Sequence, residues 1–224
     1  MVAYGWAEQD PESGRFFVGM RLMAWGAMSS ERFGFSRWID PAPVGLAQRT
    51  ADTAYLMVRV GDESVCVAQH EGAFPIKALT LKPGDRRPLG IGAGTLALLA
   101  FLPDDEIERI LRDQAEQRAR FAIDEPTLRA SIAKAKRLGY AFNDVHVIPG
   151  LGPIADMTAV AVPICLANGR PFAAVAVVAL STRMAPPRRD NILASIKQEV
   201  AQIEAKLRGE TKPVARPRSA TETI

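Results

Sequence analysis

The residues best suited to chemistry lie in a glycine-rich segment, Arg86–Gly94, that leads into an apolar run. Glycine occupies positions 90, 92 and 94, and the run from Ala93 to Leu102 is apolar on every side. Such a run predicts a buried helix. The first amides of a helix have no acceptor within it and bind anions well. The segment therefore predicts a site for a carboxylate or a similar anion.

A second interpretation of the same glycines is purely structural. Glycine adopts positive φ angles without steric cost, so three glycines also suit a tight turn from a strand into a helix. The residues by themselves leave both interpretations open.

Other kinds of site lack their usual residues. The two histidines, His70 and His146, form no zinc-ligand motif with either cysteine. No G-x-S-x-G elbow occurs, and Gly94 is followed by threonine and leucine rather than by the lysine of a phosphate-binding loop. Acids at 104–106 are typical of the first turn of a helix. We therefore predict no metal, no cofactor and no enzyme.

Residues 150–155 match the G-x-G-x-x-A pattern of dinucleotide-binding loops. That pattern needs a strand before it and a helix of about ten residues after it. Pro153 interrupts the segment, and a strand-like run begins at Thr158. We interpret this match as coincidental.

Strands are predicted on both sides of the glycine-rich segment. Five segments have a strand composition: Thr53–Val60, Ser64–His70, Ile76–Leu81, Thr158–Leu166 and Phe172–Leu180. Gly61-Asp62 joins the first pair, and Asn168-Gly169, a preferred tight-turn pair, joins the last. Alternation is weak in the last two strands, which predicts that they lie at the sheet centre with both faces covered.

Helical periodicity accounts for most of the remaining chain. The predicted helices are 18–31, a helix within 33–50 interrupted by Pro41 and Pro43, 93–102, a helix beginning after Pro103, a helix beginning at Pro126 and ended by Gly139, and a last helix with Ile192, Ile196, Val200, Ile203 and Leu207 on one stripe. The mixture of strands and helices favours an α+β fold.

The chain opens with a predicted β-hairpin around the turn Asp10–Gly14. Its aromatic residues Tyr4, Trp6 and Phe16 need a covering surface, because an isolated two-stranded hairpin is marginally stable in water. The apolar stripe of helix 18–31 is expected to pack on this hairpin or on another chain.

Composition gives little support to nucleic-acid binding. The net charge is +3, but residues 208–224 hold four of the 28 basic and two of the 25 acidic residues, which leaves 24 and 23 in the rest of the chain. A DNA-binding domain normally gathers its basic side chains on one face. We expect the two cysteines to be small buried side chains in a cytoplasmic protein with no membrane segment.

Several short pieces, in order and spacing, resemble the IclR family of bacterial transcriptional regulators. They are Asp10–Gly19 with Arg21-Leu22, Glu71-Gly72, Arg87–Leu89, Gly92–Gly94, Leu98–Ala100, Gly139–Ala141, Pro149-Gly150, Ala161–Ile164, Gly169–Ala174 and Arg183. The resemblance runs from about Gly5 to Leu207.

The resemblance implies a GAF-like effector-binding domain, a curved antiparallel sheet flanked by helices. It divides the chain into a remnant wing hairpin of a winged helix-turn-helix (1–19), a connector helix (20–34), the effector-binding domain (35–207) and a disordered tail (208–224). It also implies a homodimer or tetramer. DNA would be contacted only through helices largely absent from this chain, with Arg15 of the wing as a weak contact to DNA.

The resemblance also implies which residues bind the effector, a small organic acid. These are Leu89, Gly92, Ala93, Gly94, Asn143, Asp144, Ala159, Ala176 and Val178. The last three positions are polar in family members that bind small keto acids. Alanine and valine there predict a more apolar pocket, suited to an aromatic or otherwise largely apolar carboxylate.

Two functions follow from the resemblance. The first is the effector-sensing part of a transcriptional regulator, in which ligand binding controls a DNA-linked oligomer. The alternative is a stand-alone ligand-binding and dimerisation module, a truncated paralogue that does not bind DNA itself.

Overall fold

The computed structural model of this chain describes residues 1–32, 39–121, 123–143, 146–148, 152–154 and 156–209. The strands are β1 (Ala7–Gln9), β2 (Phe16–Val18), β3 (Thr53–Val60), β4 (Glu63–His70), β5 (Arg86–Pro88), β6 (Ala141–Asn143), β7 (His146–Ile148), β8 (Gly152–Ile154), β9 (Met157–Cys165) and β10 (Pro171–Leu180). The helices are α1 (Met20–Arg32), α2 (Pro41–Thr50), α3 (Ala93–Ala100), α4 (Asp104–Asp113), α5 (Ala115–Ala119), α6 (Glu125–Leu138) and α7 (Arg188–Leu207).

A curved six-stranded antiparallel sheet forms the centre of an α+β fold, as predicted. Its strand order is β5-β4-β3-β10-β9-β6. An extra residue, Val67, interrupts the register between β3 and β4, and such a bulge bends a sheet. The two long strands β9 and β10 lie inside the sheet and are buried on both faces, which confirms the prediction from their weak alternation.

Each face of the sheet packs against its own set of helices. One face, called the inner face below, carries Tyr55, Met57, Ala159, Ala176 and Val178 and packs against α3, α4 and α6. The opposite face packs against α2 and α7, whose predicted apolar stripe is buried from Ile192 to Ile203. This arrangement places α3 against the middle of the sheet, with all eight of its residues buried.

The predicted strand at Ile76–Leu81 is wrong. These residues form no strand, and the third strand beside β4 is instead β5, which pairs with Glu63–Val65. Segment 76–81 is held through side chains. The Tyr55 hydroxyl donates to the Ala78 carbonyl oxygen at 2.8 Å and accepts from the Thr80 N–H at 3.0 Å.

Helix α4 begins directly after Pro103 and α6 begins beside Pro126, as predicted, whereas the short helix α5 was not predicted. The Asp124 carboxylate accepts a hydrogen bond from the Thr127 N–H at 2.7 Å, and Gly139 ends α6 with φ 72°. Acids occupy the first turn of α4. Cys66 is buried, as expected, and Cys165 is half-buried. Among the described residues, no helix combines the length and apolarity needed to cross a bilayer.

The N-terminal hairpin forms as predicted, with β1 and β2 paired antiparallel. Trp6 contacts Trp25 of α1 with ring centroids 5.9 Å apart, so the helix covers part of the hairpin. Tyr4, Phe16, Met20, Met23 and Met28 stay largely exposed. Residues 33–38 and 210–224, which include most of the predicted tail, lie outside the described residues.

Candidate effector-binding site

A narrow cavity opens between the inner face of the sheet and the beginning of α3. Its free volume is about 30 Å³. The residues around it are Tyr55, Met57, Thr80, Leu81, Arg87, Ile91, Gly92, Ala93, Gly94, Thr95, Ala159, Ala176 and Val178. The glycine-rich segment therefore leads to a cavity as well as to a tight turn.

The sheet supplies an apolar floor for this cavity. Strand pairing places Ala176 beside Tyr55, and Val178 beside Ala159. Residues paired across antiparallel strands point to the same face, so these side chains form one surface. Apart from the Tyr55 hydroxyl, that surface offers carbon atoms, as expected from the alanines and valine of β9 and β10.

The beginning of α3 supplies hydrogen-bond donors. The first bond within the helix runs from the Leu96 N–H to the Gly92 carbonyl oxygen at 2.9 Å. The amides of Ala93, Gly94 and Thr95 therefore have no acceptor inside the helix, and no side chain of the described residues caps it. Aligned peptide dipoles make this end of the helix partly positive. A carboxylate is the complementary ligand group.

Two glycines allow this approach for different reasons. A Cβ added at Gly94 would lie 2.8 Å from Met57 Cγ, so glycine lets α3 approach β3 closely. Gly92 precedes the helix with φ 90°, a region that residues with a Cβ rarely adopt. These contacts confirm the turn interpretation, and the donor interpretation stays a prediction for the same segment.

Arg87 adds a buried positive charge to the wall of the cavity. The residue is 7% exposed, and its Nη2 donates to the Thr80 carbonyl oxygen at 2.7 Å. Burial lowers the pKa of the guanidinium, and the nearby charge of Asp85 opposes that shift. Burial favours the neutral form of Tyr55 as well: it raises the pKa of the hydroxyl, so Tyr55 is a neutral donor and acceptor at pH 7.

The structure brings six of the predicted site residues together at this cavity: Gly92, Ala93, Gly94, Ala159, Ala176 and Val178. Leu89 is fully buried in the core beside it and does not line it. Asn143 is half-buried and paired with Ala159 in the sheet, but it is not one of the residues around the cavity. Asp144 lies outside the described residues. Arg15 is exposed on the N-terminal hairpin.

Sequence reasoning missed Tyr55, Met57, Thr80, Arg87 and Thr95 as lining residues. Tyr55 and Met57 alternate along one strand, so the same period that predicted β3 could have placed them on one face. Arg87 stands inside the predicted Arg86–Gly94 segment. No local signal distinguishes it from its exposed neighbour Arg86.

The described residues contain no group of three or more histidine, cysteine or acidic side chains arranged to hold a metal. Helix amides beside an apolar floor suit the recognition of a ligand that carries a carboxylate.

Comparison with known proteins identifies the family of this chain. The sequence model described as bacterial transcriptional regulator IclR, C-terminal, matches residues 37–205. The HTH-type transcriptional regulator XynR of Escherichia coli is 25% identical over 203 residues, which is 89% of this chain and 75% of XynR. KipR of Bacillus subtilis is 28% identical over 100 residues, 45% of this chain and 40% of KipR. Both are named as transcriptional regulators.

A solved structure shows the same fold. An IclR homologue from Microbacterium hydrocarbonoxydans, complexed with 4-hydroxybenzoate, superposes with a TM-score of 0.71. It is 22% identical to this chain, and the match covers 93% of this chain and 82% of that one. The family model covers most of the chain and the fold agrees, so this chain belongs to the IclR family of bacterial transcriptional regulators, and residues 37–205 are its C-terminal, effector-binding domain.

Proposed function

We propose that this domain senses a small organic carboxylate at the beginning of α3 and so controls a DNA-linked oligomer. The observation that carries the proposal is the cavity itself, in which Ala93 and Gly94, whose amides have no hydrogen-bond acceptor among the described residues, lie beside an apolar floor. A carboxylate bound to those amides would place its carbon skeleton against Ala159, Ala176 and Val178. The 4-hydroxybenzoate bound by the Microbacterium homologue is a ligand of this class.

The size of the cavity bears on which acid fits. A free volume of about 30 Å³ accommodates a carboxyl group, whereas an aromatic ring requires the walls to separate. Met57 is the wall residue best able to move, because its side chain is unbranched and flexible. Screening small aliphatic and aromatic carboxylates by thermal shift therefore tests both the ligand class and the aromatic preference.

Replacing Gly92 with glutamate is expected to abolish stabilisation by every acid found in that screen. The new carboxylate would lie at the helix start, where it blocks the cavity and repels an anion. Wild-type protein at a hundredfold excess of ligand over Kd gains about 2.7 kcal/mol, and the variant gains none. Differential scanning fluorimetry with and without ligand measures both.

The matched control is Gly84→Glu. Gly84 also has a positive φ, 94°, but it is exposed and lies outside the cavity lining. The Gly84→Glu substitution therefore introduces the same backbone strain and the same charge without blocking the cavity. If an acid stabilises Gly92→Glu against thermal unfolding as much as it stabilises wild type, this site is excluded.

Self-association is proposed to involve the N-terminal hairpin and α1. Met20, Met23 and Met28 are 62%, 62% and 71% exposed, an unusual number of large apolar side chains for one helix. A second copy of the chain would bury them. KipR and XynR are named HTH-type transcriptional regulators, and helix-turn-helix proteins commonly bind DNA as dimers.

Replacing Met20 and Met23 together with lysine is expected to convert the wild-type dimer, or a larger oligomer, to smaller species. Two charges cannot be buried at an apolar interface without partners. Sedimentation velocity at about 10 µM measures the change. Ile76→Lys is the matched control, because Ile76 is an equally exposed apolar residue elsewhere. A monomeric wild type would contradict the proposal.

A further inference from the structure

Arg87 has more hydrogen-bonding capacity than its protein partners use. Its guanidinium carries five N–H donors, and the hydrogen bond from Nη2 to the Thr80 carbonyl oxygen involves one. Among the described parts of the chain, it forms no ion pair, whereas the adjacent Arg86 is bonded to the Glu63 carboxylate. A buried guanidinium without a carboxylate is unusual, since charges are buried at high cost unless they are paired.

The neighbourhood of Arg87 makes this charge less favourable still. A Cβ at Gly92 would lie 3.6 Å from Arg87 Nη1, so the guanidinium is next to the N-terminal end of α3. The helix end carries a partial positive charge, which repels the guanidinium. Burial disfavours the charged form further, and the charge of Asp85 only partly opposes the resulting fall in the pKa of Arg87. An anion between Nη1 and the helix amides would offset both the repulsion by the helix end and the cost of burying the charge.

We propose that Arg87 is the specificity-determining residue of this cavity: it pairs with the effector's carboxylate and makes the site select anions over neutral molecules of the same shape. The inference rests on the proposed effector site and goes beyond it, because the resemblance did not place Arg87 among the residues that bind the effector. The ligand class becomes a monocarboxylate whose acid group lies between Arg87 and Ala93.

The surrounding hydrogen bonds fix the guanidinium in advance. The Thr80 carbonyl oxygen holds Nη2, and the Thr80 N–H is itself bonded to the Tyr55 hydroxyl. This chain of bonds ties Arg87 to the central strand β3. A charged donor that is already ordered loses little side-chain entropy on binding, so its hydrogen bond to a carboxylate contributes more to affinity.

The test compares acids with their neutral amides in wild type and in Arg87→Gln. Benzoate with benzamide, and butyrate with butyramide, form pairs of nearly equal shape that differ in charge. Binding is measured by isothermal titration at pH 7.5 with matched ionic strength. In wild type we expect at least about a tenfold preference for the acid in one pair, which corresponds to one charge-assisted hydrogen bond. In Arg87→Gln the preference falls to about twofold or less.

Two further variants isolate the guanidinium. Arg86→Gln removes the same charge from the neighbouring, exposed position, and we expect it to keep the wild-type preference. Arg87→Lys keeps the charge without the planar donor pair and is expected to recover part of it. A readout independent of folding uses wild type alone: benzoate or butyrate, but not the amides, shifts the NMR signal of the Arg87 Nε–H group.

The outcomes separate this inference from the proposed function. If Arg87→Gln retains the full acid preference, or the Arg87 signal does not move while an acid binds, Arg87 is not the anion partner and the effector site stands. If amides bind wild type as well as acids do, the anion selectivity is wrong and the cavity remains a binding site. If none of the four compounds binds, the assignment of monocarboxylates to this cavity is overturned.

Discussion

Replacing Asp52 with asparagine is expected to lower the free energy of unfolding by about 3 kcal/mol. The Asp52 side chain is 3% exposed, and its carboxylate accepts hydrogen bonds from Arg183 Nε at 2.9 Å and from Arg188 Nη2 at 2.5 Å. Removing the negative charge leaves the two partly buried guanidinium groups without their shared carboxylate. The arginines are 24% and 33% exposed, so water compensates in part and the loss stays near the lower end for broken buried pairs.

This ion cluster joins elements distant in sequence. Arg188, at the start of α7, also donates to the Thr50 carbonyl oxygen at the end of α2 and to the Arg183 carbonyl oxygen. Arg183 lies 3.7 Å from the centre of the Phe74 ring. The cluster therefore holds α2 and α7, the two helices on the face opposite the inner face, against the beginning of β3. Its loss is expected to affect the whole domain.

Urea unfolding followed by circular dichroism measures the change, with Glu63→Gln as control. Glu63 pairs with Arg86, whose side chain is 56% exposed, and such surface pairs contribute less than about 1 kcal/mol. Equal losses for the two variants would show that burial of Asp52 confers no special stability. A loss of about 3 kcal/mol for Asp52→Asn alone fits the arrangement described.

The second large effect is expected from Gly72→Ala, a change of one methyl group. A Cβ at Gly72 would lie 2.1 Å from the carbonyl carbon of Ala51 and 2.4 Å from its oxygen. Backbone atoms cannot turn aside as a side chain does, so the two segments must separate. The Phe74 N–H donates to the Ala51 carbonyl oxygen at 2.8 Å, and that bond would be strained or lost. We expect a loss of about 3 kcal/mol in the free energy of unfolding.

Gly45→Ala is the control for this prediction. Gly45 lies within α2, and its added Cβ would meet only the movable end of the Arg49 side chain, at 3.1 Å. Alanine favours a helix over glycine by about 1 kcal/mol, so this variant is expected to be neutral or more stable. If Gly72→Ala unfolds at the same urea concentration as wild type, the close approach of Gly72 to Ala51 is wrong.

Local patterns in the sequence predicted most of the elements correctly. The uniformly apolar run at 93–102 predicted a buried helix, observed as α3, and the turn pairs at 61–62 and 168–169 predicted the hairpins β3–β4 and β9–β10. Such signals are reliable because each depends on neighbouring residues and on a face that must be buried. The resemblance to the family likewise depends on short pieces of sequence whose order and spacing match those of the family.

The wrong prediction of a strand at Ile76–Leu81 shows what a local sequence pattern does not determine. Ala78 and Thr80 are buried while Ile76 and Leu79 are exposed, so part of the alternation typical of a strand is present. The sheet edge beside β4 is occupied by β5, however, and the Tyr55 hydroxyl binds the backbone of this segment instead. Whether an extended segment joins a sheet depends on competition for the same edge, which involves residues far apart in sequence.

Arg86 and Arg87 give the sharpest division between what the sequence determined and what only the tertiary structure decided. The sequence alone placed a glycine-rich, anion-suited segment before a buried helix, because helix ends and glycine turns are local. Strand alternation also implies that adjacent arginines point to opposite faces of β5. Pairing with β4 decided which face is buried, so that Arg86 bonds to Glu63 in solvent while Arg87 lines the cavity.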